Sequence, residues 1–327
     1  MRCIHHTLSN GSGLNRVSTN MVQAERELGI ESFLCYVDKP EGIEGKDNIL
    51  PLSQALQADV HIIHAHLPDG CKGKTVFVAH GTPEHCFAMA IDQNRKSGWW
   101  AGDPFMLSLY RINSSDVTIT FWERHKYIWQ SMSPKADIRT IPMGIDTDFW
   151  KPVPIQGGKW AGNPALFTCE NPHQIKWPLD IFLAFPILIE KTGAILHAHY
   201  LPMDQHRFWY PLISANGSSF RSFTSGAYMD SPSLRNAFVS CDYYLNLVRY
   251  GDFNSVGLEA KSTGCKVISY RGNPYADYWI TEGDQRAMAE ELIQIFEGKA
   301  EPNNTAEIAS LDSMAKEMVK IYEELMK

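Results

Sequence analysis

The sequence predicts an α/β protein made of two similar halves. In each half, short runs rich in apolar and β-branched residues alternate with helical patterns, which is typical of parallel sheets joined by helical crossovers. Prolines and glycines interrupt this alternation between residues 141 and 162, and the alternation then starts again. The length of 327 residues also fits about two domains of roughly 150 residues each.

The first half predicts a series of strands and helices that starts at residue 1. Val17, Met21, Ala24 and Leu28 recur at helical spacing, and Gly29 ends this helix because glycine readily adopts the left-handed backbone that terminates helices. The other elements expected in this half are strands at 1–6, 31–37, 59–66, 75–79 and 116–120 and a short helix at 53–56.

The second half predicts a similar series followed by one more helix. Strands are expected at 165–169, 194–199, 243–247 and 266–270, and helices at 178–191, 231–239 and 255–262. Apolar residues at helical spacing in 310–326 predict an amphipathic helix. We therefore expect a first domain at 1–150, a second at 151–309, and a terminal helix at 310–327 that packs back on the first domain.

The composition predicts a globular cytoplasmic protein. Hydrophobic residues make up 44% of the chain and charged residues 20%, which provides ample apolar surface for a core. Apolar stretches fall far short of the ~20 residues of a membrane helix, so no stable membrane insertion is expected. The polar N-terminus predicts no secretory signal, and seven scattered cysteines without a CxxC pair indicate reduced thiols. A net charge of −7 gives no global attraction to nucleic acid.

Residues 250–269 have the pattern of a phosphate-binding strand, loop and helix. A helix is expected to begin at Asn254 or Ser255, where free N–H groups and the positive end of the helix dipole attract anions. Glu259 lies about one turn further on, where its carboxylate can accept hydrogen bonds from a diol such as a ribose. Taken alone, the segment is better explained by an ordinary βα connection with a solvated glutamate.

The same segment resembles the signature of retaining glycosyltransferases of family 4, which have the GT-B architecture of two Rossmann-like domains with a cleft between them. In that signature, a Glu-x7-Glu pair precedes Ala, a small residue, Gly and a Val-Ile strand. The first glutamate is replaced by Gly251, and its neighbour Asp252 is the candidate substitute for holding the donor sugar. The residues that match are Phe253, Val256, Leu258, Glu259, Ala260, Gly264, Val267 and Ile268.

Residues 170–180 resemble the family loop in which an Arg and a Lys, five residues apart, bind the donor diphosphate. Lys176 occupies the lysine position, whereas Asn171 stands at the arginine position. The resemblance therefore implies that a second cation comes from elsewhere, and Arg249 or His173 is the candidate.

The first half carries weaker matches in the same order. Residues Gly11 to Arg16 resemble the glycine-rich first loop of the family. The resemblance implies that Gly11 and Gly13 let the backbone approach the donor, and that Arg16 lies on the acceptor side. Residues 75–80 resemble a strand that ends in the histidine contacting the donor sugar, which is His80 here.

Candidate acceptor residues follow His80 in the sequence. An imidazole or a partly desolvated carboxylate suits proton transfer, so Glu84 or His85 is expected to orient or deprotonate an acceptor hydroxyl. An equally good interpretation is that Glu84 caps the next helix. Trp99 and Trp100 lie among basic residues and suit stacking on sugars or bases, and core packing explains them equally well.

Together the matches predict a metal-independent hexosyl- or pentosyltransferase without a cofactor. It would move a sugar from a nucleoside diphosphate sugar, with a UDP-sugar favoured, to an acceptor hydroxyl with retention of configuration. His80, Glu84 and Asp252 are the expected catalytic residues, and Tyr228 or its neighbours would contact the base. The acceptors considered are a saccharide, a lipid-linked sugar and a hydroxymethylated DNA base.

Three alternatives stay open at this point. Compact GT-B enzymes of large phages glycosylate hydroxymethylated DNA bases, and the eroded family signatures of this sequence keep that function open. A nucleotide-sugar epimerase of the same fold would need no acceptor. The absent glutamate and arginine would also suit a non-catalytic sugar-nucleotide binder.

Overall fold

The computed structural model describes residues 1–9, 13–43, 46–89, 104–169, 179–199, 229–249 and 254–327. These residues form two compact units. Unit 1 comprises Met1–Asp146 together with Ala309–Lys327, and unit 2 comprises Thr147–Ile308. Both units are built from parallel strands and helices, which confirms the predicted α/β class.

Unit 1 contains, in its described part, a parallel sheet of six strands in the order β2-β1-β3-β4-β5-β6. The strands are β1 Arg2–Thr7, β2 Glu31–Tyr36, β3 Gln57–Ile63, β4 Lys72–Ala79, β5 Val117–Thr120 and β6 Ile138–Thr140. The chain order reverses between β1 and β3, which pair in parallel with His5 opposite Ile62. Such a reversal places the carboxyl ends of β1, β3 and β4 around one crevice, where ligands bind in open α/β sheets.

The helices of unit 1 include α1 Gly13–Glu27, α2 Pro104–Ser114 and α3 Glu123–Met132, and helical residues also span 83–89. A short two-stranded pair, β7 Gly144–Ile145 with β13 Ala309–Ser310, brings the chain back to unit 1. The terminal helix α8, Leu311–Leu325, then packs on α1. Its apolar side chains are buried because they recur on one helical face, as with Met314, Met318 and Ile321.

Unit 2 has a parallel sheet of five strands among the described residues, in the order β12-β11-β10-β8-β9. The strands are β8 Ala165–Thr168, β9 Ile195–Ala198, β10 Tyr243–Asn246, β11 Lys266–Tyr270 and β12 Tyr278–Ile280. The helices are α4 Leu179–Lys191, α5 Ser231–Ser240, α6 Ser255–Ser262 and α7 Gln285–Phe296. Helices α4 and α7 pack on each other over this sheet, and Phe182, Phe185 and Leu292 are almost fully buried there.

Among the helices of the described ranges, α2, α3 and α7 were not predicted from the sequence. The sequence of α3 mixes aromatic and basic residues, which resembles a ligand surface, but Trp129 is 0% exposed and belongs to the core. The start of α7 has a local sequence signal, Asp284, whose side chain caps the helix by accepting hydrogen bonds from the N–H groups of Arg286 and Ala287. No helix in the described ranges is both long and apolar enough to cross a membrane.

Candidate functional site

The carboxyl ends of β8 and β10 define the crevice of unit 2. The chain order of this sheet reverses between these two strands, which pair in parallel at Tyr243 and Leu166. Ligands bind at such a reversal in open α/β sheets. The loops after β8 and β10 contain Lys176 and Asp252, and both residues lie outside the described residues. The described part of this crevice is therefore the start of α6 and the ends of the strands.

The start of α6 is held by a network of amide side chains. Asn254 is the N-cap, and its Oδ1 accepts a hydrogen bond of 2.9 Å from the N–H of Gly257. The same oxygen accepts a 3.0 Å bond from Nδ2 of Asn246, a fully buried residue at the end of β10. Oδ1 of Asn246 in turn accepts from Nδ2 of Asn273 over 3.3 Å. This network fixes the position of the helix start against the sheet.

Ser255 and Glu259 lie where the sequence predicts them, in the first and second turns of α6. Ser255 is half-buried at the positive end of the helix. Glu259 is 2% exposed, so its carboxylate belongs to the interior side of α6 rather than to a solvated face. The interpretation of Glu259 as an ordinary solvated glutamate is therefore wrong for this structure.

Arg249 follows β10 and forms an ion pair with Glu282. Nearby, the buried Asp180 accepts a 2.7 Å hydrogen bond from the hydroxyl of Tyr270. The Arg249 charge is thus partly balanced within unit 2, and a diphosphate would compete with Glu282 for its guanidinium. Its expected role as the second diphosphate cation stays a prediction.

In unit 1, His80 follows β4 at the carboxyl edge of the sheet. Its Nε2 lies 2.8 Å from Nδ1 of His64, and its ring meets the edge of Phe121. Burial, together with the nearby His85, lowers the pKa of His80 to about 3. His80 is therefore a neutral ring at physiological pH.

Residues 81–85 are held by hydrogen bonds at the start of the helical segment 83–89. The hydroxyl of Thr82 accepts a 3.2 Å bond from the N–H of His85, which makes Thr82 the cap of this segment. The carbonyl of Gly81 accepts a 2.9 Å bond from Nε1 of the buried Trp129. Glu84 is exposed in the first turn, where a carboxylate also complements the helix dipole. Glu84 and His85 thus lie on one short helical segment, which begins three residues after His80.

The glycine-rich loop is described only from Gly13 onward. Gly13 is the first residue of α1 and is exposed, and a Cβ built there meets no atom within 4 Å. Arg16 lies in the first turn of the same helix and is half-buried. The remaining predicted site residues lie outside the described residues; they are Gly11, Trp99, Trp100, His173 and Tyr228.

Solved structures of known proteins superpose on this chain over almost its full length. Sucrose-phosphate synthase from Thermosynechococcus elongatus matches with a TM-score of 0.73 and 13% identity, covering 99% of each chain. The chain has the GT-B fold. HepE from Anabaena, solved with UDP-glucose, matches with a TM-score of 0.67 and 12% identity over 99% of this chain and 98% of that one. The sequence matches no protein-family model and no curated protein sequence.

A glycosyltransferase from Rickettsia africae ESF-5 also superposes on this GT-B chain, with a TM-score of 0.68 and 12% identity over 100% of this chain and 99% of that one. At identities of 12–13%, the likeness shows the fold alone. The GT-B fold predicted from the ordered motifs is thereby confirmed.

A buried side-chain network of this GT-B chain was not predicted from the sequence. Nε2 of His5 lies 2.9 Å from Oε2 of Glu25, and Nδ1 of His5 lies 3.0 Å from Nε2 of His64. The network therefore reaches His80 through His64. Its signal in the sequence is the recurrence of histidines at the ends of the predicted strands 1–6, 59–66 and 75–79.

Within the described part of the chain, one group of three side chains has the composition of a metal site: His6, His61 and Cys71, whose ligand atoms lie within 4.8 Å of one another. Its two imidazoles are already joined, because Nε2 of His6 lies 2.9 Å from Nδ1 of His61. The second nitrogen of His61 lies 3.1 Å from the carbonyl oxygen of Lys72. Hydrogen bonding thus accounts for the arrangement of the two rings.

Proposed function

We propose that this protein is a glycosyltransferase that takes its sugar from a nucleoside diphosphate sugar, with a UDP-sugar favoured. The observation that carries the proposal is the start of α6, a capped helix N-terminus at the strand-order reversal of unit 2, with the buried Glu259 one turn further on. The GT-B fold supports it, since HepE, which shares this fold, was solved with UDP-glucose.

The start of α6 suits a diphosphate for electrostatic reasons. Free N–H groups at a helix N-terminus bind anions, and the hydroxyl of Ser255 adds a further donor. Together with Lys176 and Arg249, these groups would stabilise the negative charge that builds up on the diphosphate as it leaves. In this proposal, the helix dipole and the side-chain cations stabilise the diphosphate as the leaving group, and no metal is required.

Glu259 is proposed to hold the ribose of the nucleotide. An ionised carboxylate accepts two hydrogen bonds, which matches the two hydroxyls of a ribose diol. Asp252 and His80 are proposed to hold the donor sugar, and Glu84 or His85 to orient the acceptor hydroxyl. Transfer with retention of configuration then follows if the acceptor attacks on the face from which the diphosphate departs.

The first test is binding of nucleotides to the intact chain. A panel of UDP, GDP, ADP, dTDP and CMP and their sugar conjugates is compared by thermal unfolding, because a ligand at ~100 times its dissociation constant stabilises the folded chain by roughly 2.7 kcal/mol. We expect stabilisation by UDP and by UDP-glucose. If none of the nucleotides raises the unfolding temperature, the proposal is contradicted.

The second test uses Glu259→Gln, which keeps the size of the side chain and removes its charge. We expect UDP affinity to fall about tenfold or more, because one charge-assisted hydrogen bond is worth ~1.5–3 kcal/mol. Glu290→Gln is the matched control, since Glu290 is exposed on α7 in the same unit. Equal affinity in both variants would remove Glu259 from the site.

Turnover then separates transfer from related activities. Release of UDP from UDP-glucose is followed with and without saccharide acceptors, and with duplex DNA carrying hydroxymethylated bases. Acceptor-dependent release supports a glycosyltransferase and identifies the acceptor class. Conversion of UDP-glucose to an isomeric sugar nucleotide without acceptor would instead indicate an epimerase.

A further inference from the structure

A line of buried side chains runs through unit 1 from α1 to His80. His5 and Glu25 are 0% exposed and His64 is 4% exposed, so water does not compete for their hydrogen bonds. Successive contacts measure 2.9 Å from Glu25 to His5, 3.0 Å from His5 to His64, and 2.8 Å from His64 to His80. We refer to Glu25, His5, His64 and His80 as the histidine relay. His5 and His64 each use one ring nitrogen for one neighbour and the other nitrogen for the next neighbour. The tautomer of one ring therefore determines which ring donates in the next contact.

The carboxylate of Glu25 fixes the direction of the relay. Its Oε2 accepts a 2.6 Å hydrogen bond from the hydroxyl of Ser32, and its Oε1 accepts a 2.8 Å bond from the hydroxyl of Tyr322. Burial raises the pKa of Glu25, but the interactions with His5, Ser32 and Tyr322 outweigh burial and bring it below the ordinary value. Glu25 is therefore ionised at neutral pH and can only accept, so Nε2 of His5 must donate to it.

The donor at His5 determines the remaining rings. With one proton on each ring, Nδ1 of His5 is an acceptor, so Nε2 of His64 donates to it. Nδ1 of His64 is then an acceptor in its turn, and Nε2 of His80 donates to it. Burial lowers the pKa of both His64 and His80, which keeps these two rings neutral. The proton of His80 is thus on Nε2, and Nδ1 carries a lone pair.

We propose that Glu25, His5 and His64 are positioning residues that hold His80 as the Nε2–H tautomer, so that its Nδ1 acts as a hydrogen-bond acceptor for a hydroxyl of the substrate. This inference rests on the proposed function for the identity of the substrate. It adds to that function a chemical selectivity: the group facing Nδ1 of His80 must be a donor, such as a sugar hydroxyl, and not an acceptor-only substituent.

The opposite tautomer would require a different state of the buried pair. If Nδ1 of His5 also carried a proton, the two links between histidines would reverse, Nδ1 of His80 would carry the proton, and His80 would donate to the substrate. Such a state places a second charge beside Glu25 in the interior, with the desolvation cost of a buried ion pair. Glu25 already accepts hydrogen bonds from His5, Ser32 and Tyr322.

A second histidine pair on the same strand provides an internal control. His6 follows His5 in β1, is equally buried, and contacts His61 over 2.9 Å, and that pair ends at the carbonyl oxygen of Lys72. It makes no hydrogen bond to His80 among the contacts of the described residues. His6→Gln therefore perturbs a buried histidine pair without breaking the relay.

The direct test is the tautomer of His80 in the full chain without ligand. Long-range proton–nitrogen NMR spectra of the histidine rings distinguish a protonated ring nitrogen from an unprotonated one, and His80→Gln assigns the His80 signals. We expect Nε2 protonated and Nδ1 unprotonated in His5, His64 and His80 at pH 7.5. A proton on Nδ1 of His80, or an equal mixture of both tautomers, overturns the proposal.

Glu25→Gln tests the role of the carboxylate, because an amide can donate where a carboxylate can only accept. We expect the Nδ1–H form of His80 to appear in Glu25→Gln and in His64→Gln, and to stay absent in His6→Gln. Circular dichroism confirms that each variant is folded before its spectrum is interpreted. An unchanged His80 tautomer in folded Glu25→Gln and His64→Gln shows that the relay does not control His80.

Kinetics separate this inference from the proposed function. With UDP-glucose as donor, we expect kcat/KM to fall about tenfold in Glu25→Gln, as one lost hydrogen bond to substrate would give, and to change less than twofold in His6→Gln. The NMR result decides the relay even if the wild-type chain does not turn over UDP-glucose, which would contradict the proposed function alone. If the wild-type chain turns over UDP-glucose and kcat/KM falls equally in Glu25→Gln and His6→Gln, the positioning role is contradicted.

Discussion

Tyr322 shows how a single hydroxyl links the terminal helix to the interior of unit 1. It is fully buried on α8, and it donates to Oε1 of Glu25 on α1 over 2.8 Å. The two residues are 297 positions apart in the sequence. A buried carboxylate is stable only when its oxygens accept enough hydrogen bonds, so this contact contributes both to the packing of α8 and to the charge of Glu25.

Removing this hydroxyl should destabilise unit 1. Tyr322→Phe keeps the ring and deletes one donor to a buried carboxylate, for which we expect a loss of about 1–3 kcal/mol in the free energy of unfolding. Denaturant unfolding measures the loss. The matched control is Tyr127→Phe, because Tyr127 is 67% exposed on α3 and its hydroxyl can bond to water. A loss of the same size in the control would mean that the contact with Glu25 is not the cause.

At the scale of elements, α6 packs on β10 through a close approach at Gly257. A Cβ built on Gly257 would lie 2.6 Å from Oδ1 of Asn246. Asn246 cannot easily move away, since it is fully buried and both its amide atoms are hydrogen-bonded, to Asn254 and to Asn273. The glycine therefore permits the distance between helix and strand that places the start of α6 at the carboxyl end of β10.

Gly257→Ala should be destabilising although alanine favours helices. The added methyl group must push Asn246 out of its hydrogen bonds, and overpacking of this kind costs about 1–3 kcal/mol. We also expect weaker UDP binding, because the cap at Asn254 shifts with Asn246. Gly193→Ala is the control, since its Cβ meets other atoms only at an ordinary 3.4 Å. A neutral Gly257→Ala variant would show that the amide network tolerates rearrangement.

At the scale of the whole molecule, buried neutral histidines make stability depend on pH. Burial, with the neighbouring His61 and His5, lowers the pKa of His6 from 6.5 to about 3, and the pKa of His80 is lowered to about 3 as well. The unfolded chain binds these protons near pH 6.5, whereas the folded chain does not. The stabilising contribution of these two histidines is therefore fully present above about pH 6.5 and is lost as the pH falls towards 3.

Each such histidine should lower the free energy of unfolding by about 2 kcal/mol at pH 5, because each pH unit below the pKa of the unfolded chain lowers it by ~1.4 kcal/mol. We expect the free energy of unfolding to fall between pH 7.5 and 5, and the fall to be smaller in His6→Gln by about that amount. Denaturant unfolding at several pH values measures both slopes, and the two slopes should become equal above pH 7.5. Parallel curves down to pH 5 would contradict the neutral, buried state of His6.

Local signals were sufficient for much of the fold. The bounds of α6 and β11 were predicted correctly, because a capping asparagine, a following glycine and a β-branched run mark them within a few residues. The same local pattern predicted the placement of Ser255 and Glu259 on α6. Helix α7 was not predicted, although the Asp284 cap at its start is a local signal of the same kind.

The sequence by itself determined the α/β class, the two series of strands and the position of the start of α6, because short-range periodicity and capping encode them. Only the tertiary structure decided which histidines meet, that Glu25 lies beneath them, and that Arg249 is paired with Glu282. These contacts join residues 20 to 59 positions apart. The order of strands in the sheet sets such contacts, and no local pattern specifies that order, because the same run of residues can pair with several neighbours.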